Sequence, residues 1–455
     1  MYGNPHARSP RLRAGVLGGA SALVFALAIA GCSDSTTTSD SPSAAPALTA
    51  DTGEPITVWV DADRVAAADA YKAAYPNDPI TVETYDGGAN GSGTFRTKVQ
   101  LFDTSGSGWP DVVFSTQNND AAWASQLSNG KPAYAAVLNE GLIADDIIDG
   151  FATGALDPCT LDGKVYCLRN DLAQTVLWYN KTMLDEFGYA LPTTWEEYTE
   201  LGVKVAAEHP GYIIGTQGDP WTPEIYFWGG KCEANNITGA TSVTVNTDSD
   251  ECKRVAEMLD TLRANGTSPN ISVFTPEFLE SYAGKVLMIP GPAWYGGALF
   301  QNPGNLNVAA GNMAVAAPLP WEGEEAVAGN VGGATWFISS HSANPGLAAK
   351  FATFVTTADD YQVELAPGFP AFGAAEQKWL EKQDASGYYA ESVAPLVEAG
   401  GMIWSGWGAG IFSQEAIWAK AMTPGITEGK NLVDLLPDWQ TAISDQAKVD
   451  GYTVN

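Results

Sequence analysis

Four cysteines, Cys159, Cys167, Cys232 and Cys252, are the residues whose type and spacing most directly suggest chemistry. Cys159 and Cys167 flank the turn sequence LDGK, and Asp171 follows them closely. Zinc would need clustered thiolates or imidazoles, but the chain has no CxxC spacing and only His6, His209 and His341. No metal or cofactor is therefore expected. An even cysteine set in an exported chain reads as disulfides, with three possible connectivities. The nearest-neighbour solution pairs Cys159 with Cys167 and Cys232 with Cys252. Asp-Gly supplies the φ > 0 residues of a tight hairpin, yet a two-residue turn sets Cys159 opposite Tyr166. Direct pairing with Cys167 thus calls for an odd loop or a bulge.

Enzyme motifs are scarce. No GxSxG elbow, HExxH pair or phosphate-binding loop occurs. A glycoside hydrolase needs only two carboxylates about 5–9.5 Å apart. With 53 acids present, a secreted hydrolase stays open as the alternative function. No catalytic residue is assigned. An adhesin would show repeats, and none is visible.

Export is written into the first residues. MYGNPHARSPRLR carries Arg8, Arg11 and Arg13 without an acid, and an apolar run rich in small residues follows. That is the layout of a secretory signal, expected over 1–31. Its end, Ile29–Cys32 (IAGC), resembles the bacterial lipobox, which marks Cys32 for acylation. Residues 32–53 are rich in Ser, Thr and Pro and read as a flexible tether. The expected location is the outer face of the cell membrane, held by the lipid anchor only.

The net charge of −30 excludes partners that need a basic footprint, so no nucleic acid is expected. Hydrophobic residues make up 45% of the chain, enough for a large core across two or three domains of ~100–200 residues. Pro55–Val60 and Ile80–Tyr85 read as strands around a helix beginning near Asp61 or Asp63. Strand, helix and strand within ~30 residues make a βαβ unit and imply a parallel sheet. Pro110–Ser115 reads as another buried strand. Helices and strands continue to alternate, so the class is α/β with two lobes.

In open α/β sheets, ligands meet the loops at the carboxyl ends of strands. That rule selects DADR, STQNND, RND and PGPAWYGG, which carry Asp, Arg, Asn, Gln, Trp and Tyr. Gln117 and Asn118 offer amides that both donate and accept. Trp404 and Trp407 sit in a Gly-rich loop, where a tryptophan is less expected to be core. Such a mixture suits a polyol with hydroxyls at its edges and C–H bonds on its faces.

Several motifs, in order, resemble a known family. GKVYCLRND, then LWYNKTMLDEFGYALPTTWEEY, then GKVLMIPGPAWY and GGATWFISSHSANPGLAAKFATFVTT are similar to the extracellular solute-binding proteins of bacterial ABC importers, sugar-binding branch, maltose-binding-protein-like. The resemblance implies a two-lobed periplasmic-binding-protein fold of type II, hinged between lobes. It places one lobe at 54–167 with 318–366 and the other at 168–317 with 367–455. The crossings fall near Tyr166–Asp171 and Ala314–Pro320. It further implies a carbohydrate ligand, mono- or oligosaccharide, and partner permease transmembrane subunits, with the chain itself a monomer.

The resemblance also nominates residues. Asp63 and Arg64 match an Asp-Lys pair that binds sugar hydroxyls. Asp171 falls where the family places a polar cleft residue. Trp221 matches a cleft aromatic, and Trp294 or Tyr295 stands for another. Asn118 and Asn119 depart from an Asp-Arg pair. A disulfide at Cys159–Cys167 would stiffen a hairpin beside a hinge strand.

Overall fold

The computed structural model describes residues 49–455 apart from 89, 90 and 129. The expected signal, Cys32 and most of the tether lie outside them. The tether's last residues lie against the body. Thr52 N–H donates to Asn344 Oδ1 at 3.1 Å, and Asn344 Nδ2 donates to Asp51 at 2.6 Å.

β-Branched Ile56–Val60 forms a buried strand because its side chains fill both faces of a covered sheet. It pairs in parallel with Ile80–Thr84 and with Val112–Ser115. The intervening helix Val65–Ala74 makes this the expected βαβ unit. Thr335–Ile338 then adds antiparallel, and Leu168–Arg169 completes a five-stranded sheet. A second, three-stranded antiparallel sheet has Thr175–Asn180 between Met288–Pro292 and Met313–Ala316. Amphipathic helices Trp195–Glu208, Asp250–Ala264 and Leu432–Val449 bury their apolar stripes in this half. Thr194 and Ser249 cap the first two, accepting from the backbone N–H groups of Glu197 and Cys252.

Between the sheets the chain runs in three neighbouring segments. Asn170 N–H donates to the Ala334 carbonyl at 2.9 Å, Val331 N–H to Ala173 at 3.0 Å and Thr175 N–H to Gly329 at 3.0 Å. On the other side, Asp171–Leu172 pairs antiparallel with Phe369–Pro370. The first crossing thus falls beside Tyr166–Asp171. The second falls at Gly329–Ala334 rather than Ala314–Pro320, because Met313–Ala316 is held inside the second sheet by Tyr179 and its neighbours.

Both nearest-neighbour disulfides are present, with Cα–Cα distances of 5.1 Å for Cys159–Cys167 and 4.6 Å for Cys232–Cys252. The hairpin keeps its two-residue turn, with Asp162 and Gly163 both at positive φ. No bulge is needed. Cys159 ends a short helical turn, Asp157–Cys159, and its carbonyl accepts from the Tyr166 N–H at 2.9 Å, while its sulfur reaches Cys167 diagonally.

The Cys232–Cys252 pair closes a 20-residue separation, which is worth about 3 kcal/mol in the chain-entropy account. Replacing both cysteines by alanine should lower unfolding stability by about that amount in urea titrations at fixed redox conditions. An unchanged midpoint would show that the denatured chain is not constrained by this bond.

Candidate functional site

The loops at the strand ends gather around a cavity of about 620 Å³. From the first lobe come Gln117 and Asn118, just past Val112–Ser115, together with the stapled hairpin at Thr160–Asp162. From the second lobe come Glu224, Trp228, Asn235 and the Gly-rich loop with Trp404 and Trp407. Crossing residues Leu172 and Asn330 also line it. A bound molecule here would touch both lobes and the hinge at once.

Local chemistry explains the aromatic wall. Trp228 and Trp407 stack with centroids 5.6 Å apart and an interplanar angle of 11°. Trp228 follows a wide helical turn, Pro223–Phe227, and its backbone N–H reaches back five residues to the Pro223 carbonyl at 2.9 Å. Its indole N–H donates to the Trp404 carbonyl at 2.8 Å and so pins the loop. Trp404 can fold over its own loop only because residue 406 is glycine. A Cβ there would lie 2.1 Å from the Trp404 ring. Asn235 fastens the loop's far end, donating to the Gly408 carbonyl at 2.7 Å.

Polar contacts bind the lobes together beside the cavity. Gln117 Nε2 donates to Glu415 Oε2 at 3.2 Å and to the Gly88 carbonyl at 3.0 Å. Asn119 Nδ2 donates to the carbonyls of Gly410 and Phe412, at 3.2 and 3.0 Å. Arg96 reaches Asp450 at 3.6 Å. The carboxylates in this region are buried. Burial pushes Glu415 up to about 7, although the Gln117 bond favours its charged form. Glu224 is raised well above the ordinary range by burial and then by the charge of Glu415. Burial takes Asp219 up to about 6. Asp120 is also raised by burial, while hydrogen bonds from Ser115 and Trp123 at 2.6 and 2.7 Å pull it back.

Of the residues nominated from sequence, Gln117, Asn118, Trp404 and Trp407 line this cavity. The others lie elsewhere. Asp171 is 3% exposed at the crossing, accepts from Asn170 Nδ2 at 2.9 Å, and feels the charges of Arg64 and Arg169. Asp63 points to solvent with 83% of its side chain exposed. Arg64 pairs with Asp61 at 3.4 Å and lies 4.7 Å over the Phe114 ring. Trp221, Trp294 and Tyr295 form a separate aromatic group with the exposed Phe274, which stacks on Trp294 at 6.0 Å. Within it Tyr295 is buried and accepts from the Trp221 indole at 3.2 Å.

Sequence reasoning passed over Glu224, Trp228, Asn235, Asn330 and Gln414, all of which line the cavity. Trp228 packs in the core and also faces the cavity. The one available signal was a glutamate inside the apolar run PWTPEIYFWGG. Among the described residues, no group of three or more His, Cys, Asp or Glu could hold a metal ion. Nor is any described helix long and apolar enough to cross a membrane.

Two α/β lobes joined by crossing segments, with a lined cavity between them, define a two-lobed binding protein of the type II periplasmic class. The chain belongs to the bacterial extracellular solute-binding protein family, whose model matches residues 49–362. A curated relative, the arabinooligosaccharide-binding protein of Halalkalibacterium halodurans, is 24% identical over 329 residues, which is 69% of this chain. That match spans 64% of the relative's length. Among solved structures, an ABC-transporter-associated binding protein from B. animalis subsp. lactis, in complex with β-1,6-galactobiose, superposes with a TM-score of 0.72. It is 22% identical, covering 88% of this chain and 99% of that one. The galacto-N-biose/lacto-N-biose I-binding protein of Bifidobacterium longum gives 0.64 at 18% identity, covering 90% and 100%. At these identities the structures establish the shared fold.

The buried carboxylates carry a pH consequence. Glu415 keeps its proton in the folded state up to about pH 7, whereas the unfolded chain releases it near ~4.3. Between those values unfolding releases a proton, so stability falls as pH rises, then levels off above about 7. Melting temperatures measured from pH 5 to 8 should therefore decline more steeply for the native chain than for Glu415→Gln. Parallel curves would mean that Glu415 is ionised throughout.

Proposed function

We propose that this protein is the carbohydrate-binding component of an ABC importer, which captures an oligosaccharide between its lobes and delivers it to a membrane permease. The observation that carries this reading is the cavity itself. It sets the Trp228–Trp407 stack and Trp404 beside the amides of Gln117, Asn118 and Asn235, at the junction of both lobes. A flat ring accommodates the apolar face of a pyranose, while amides and carboxylates take hydroxyls at its edge. By analogy with aromatic pairs, each stack contributes ~0.5–1.5 kcal/mol, and hydroxyl bonds supply the rest of the ~8 kcal/mol that micromolar binding requires. The sugars bound in the two solved relatives, and the one named for the curated relative, support the same class of ligand.

In this reading Gln117, Asn118, Glu224, Trp228, Trp404 and Trp407 contact the sugar. Asp171 and Arg64 hold the crossing in shape from behind. Asp63, Trp221, Trp294 and Tyr295 lie outside this contact set. Closure is a population shift, in which a ligand that touches both lobes favours the arrangement held by Gln117–Glu415 and Asn119. The lobes are taken as roughly 54–169 with 335–366, and 175–328 with 371–455, linked by the three crossing segments. Acylation at Cys32 would tether the monomer to the outer face of the membrane through the segment that follows.

The hydrolase alternative finds no support. Glu224 does line the cavity, but Glu415 is buried and engaged by Gln117 rather than facing a bond to be cleaved. The family match is likewise to binding proteins.

A thermal-shift screen over neutral mono- and oligosaccharides should give at least one stabilising ligand, with a change in tryptophan fluorescence and no release of reducing ends. Trp404→Ala should then weaken that ligand by a few-fold to about tenfold in calorimetry. A panel without any binder, or an unchanged affinity in the variant, would overturn the assignment.

A further inference from the structure

The backbone takes an unusual course where the second crossing enters the first lobe. Gly332, Gly333 and Ala334 are three successive residues at positive φ, with values of 76°, 76° and 23°. Glycine adopts such angles freely. Alanine does not, because in a left-handed backbone its Cβ crowds the following carbonyl oxygen. The angle at Ala334 also falls short of the left-handed well, which for an L-residue lies at about 50–70°. Ala334 is buried and does not line the cavity. A backbone outlier of this kind persists only where its surroundings over-determine it, and such outliers gather at switch regions.

The surroundings here are specific. Val331 is tied to the second lobe, since its carbonyl accepts from the Trp294 indole at 2.9 Å. Thr335 is tied to the first lobe, paired with Ser115 on one side and Arg169 on the other. Along this crossing, the three residues between them must absorb any rotation of one lobe against the other. Arg169 grips them. Its Nη2 donates to the Gly332 carbonyl at 3.0 Å, and a Cβ on Gly333 would lie 1.8 Å from that same nitrogen. Asn170 N–H holds the Ala334 carbonyl at 2.9 Å. Beside the cavity, meanwhile, the lobes touch. Arg96 donates to the Ile411 carbonyl at 3.3 Å, and a Cβ on Gly91 would lie 2.5 Å from the Ser413 hydroxyl. A turn of about 30° about the N–Cα bond of Ala334 would carry it into the left-handed well. With the lobes already in contact, that turn runs toward parting them.

We propose that Gly332–Ala334 is a spring in the hinge, strained at Ala334 while the lobes are in contact and relaxed when they part. The two glycines let the segment turn, and the alanine sets the cost of holding it closed. A ligand must meet that cost, so the spring keeps the empty protein open and weakens every ligand by the same factor. The inference concerns the hinge and holds whatever the ligand. The test is Ala334→Gly, which removes one methyl group and keeps every backbone hydrogen bond described. Melting temperature is a poor readout, because glycine also loosens the unfolded chain. In small-angle scattering without ligand, the variant should have a smaller radius of gyration than the native protein. The tightest saccharide from the screen should bind it at least fivefold more tightly in calorimetry. An affinity within twofold of native would overturn the spring while leaving carbohydrate binding intact. A panel without any binder would overturn the proposed function alone. Scattering then decides this inference, and an unchanged radius would overturn it.

Discussion

The structure depends on the pairing of its crossing segments. A chain that leaves one sheet and enters another exposes backbone N–H and C=O groups, and buried ones must find partners. Here Asn170–Thr175 is paired on one side with Gly329–Ala334 and on the other with Phe369–Pro370. The three segments satisfy one another, so the linkage between lobes is ordered without belonging to either main sheet. Leu172 and Asn330, which line the cavity, are part of this ribbon. Any rocking of the lobes must bend the ribbon while keeping those bonds, which confines the motion to a hinge.

The cavity is built from weakly ordered sequence held by specific contacts. A Gly-rich loop would otherwise carry a high conformational entropy. The Trp228 indole, the Asn235 amide and the close approach at Gly406 remove much of that freedom before any ligand arrives. Preorganisation of this kind lowers the cost of binding rather than adding contacts. The carboxylates nearby have the opposite effect, since each is desolvated and raised in pKa. Folding energy from the core offsets them, and their retention marks the lobe junction as a place where function competes with stability.

Much of the architecture was legible in the sequence. The opening βαβ unit and the Asp-Gly turn both follow from local patterns that tertiary packing reinforces. The rule of loops at strand ends found Gln117 and Asn118, and glycine content found Trp404 and Trp407. Asp171 was harder. Its sequence neighbours suggest a loop, but Arg64 and Arg169 reach it through contacts set by the fold. Trp228 and Glu224 sit in an apolar helical run whose pattern reads as core, and only the three-dimensional course of that run exposes one face to the cavity. The second crossing was misplaced for a similar reason, because Met313–Ala316 has the composition of any buried strand.

The Cys159–Cys167 staple ties a rim of the cavity to the first lobe, since Thr160, Leu161 and Asp162 follow directly from it. In the cytosol, glutathione keeps such thiols reduced. A newly made chain would therefore carry a slack rim at home and acquire its finished one only abroad. The finished rim therefore arrives with oxidation, outside the reducing compartment in which the chain is made.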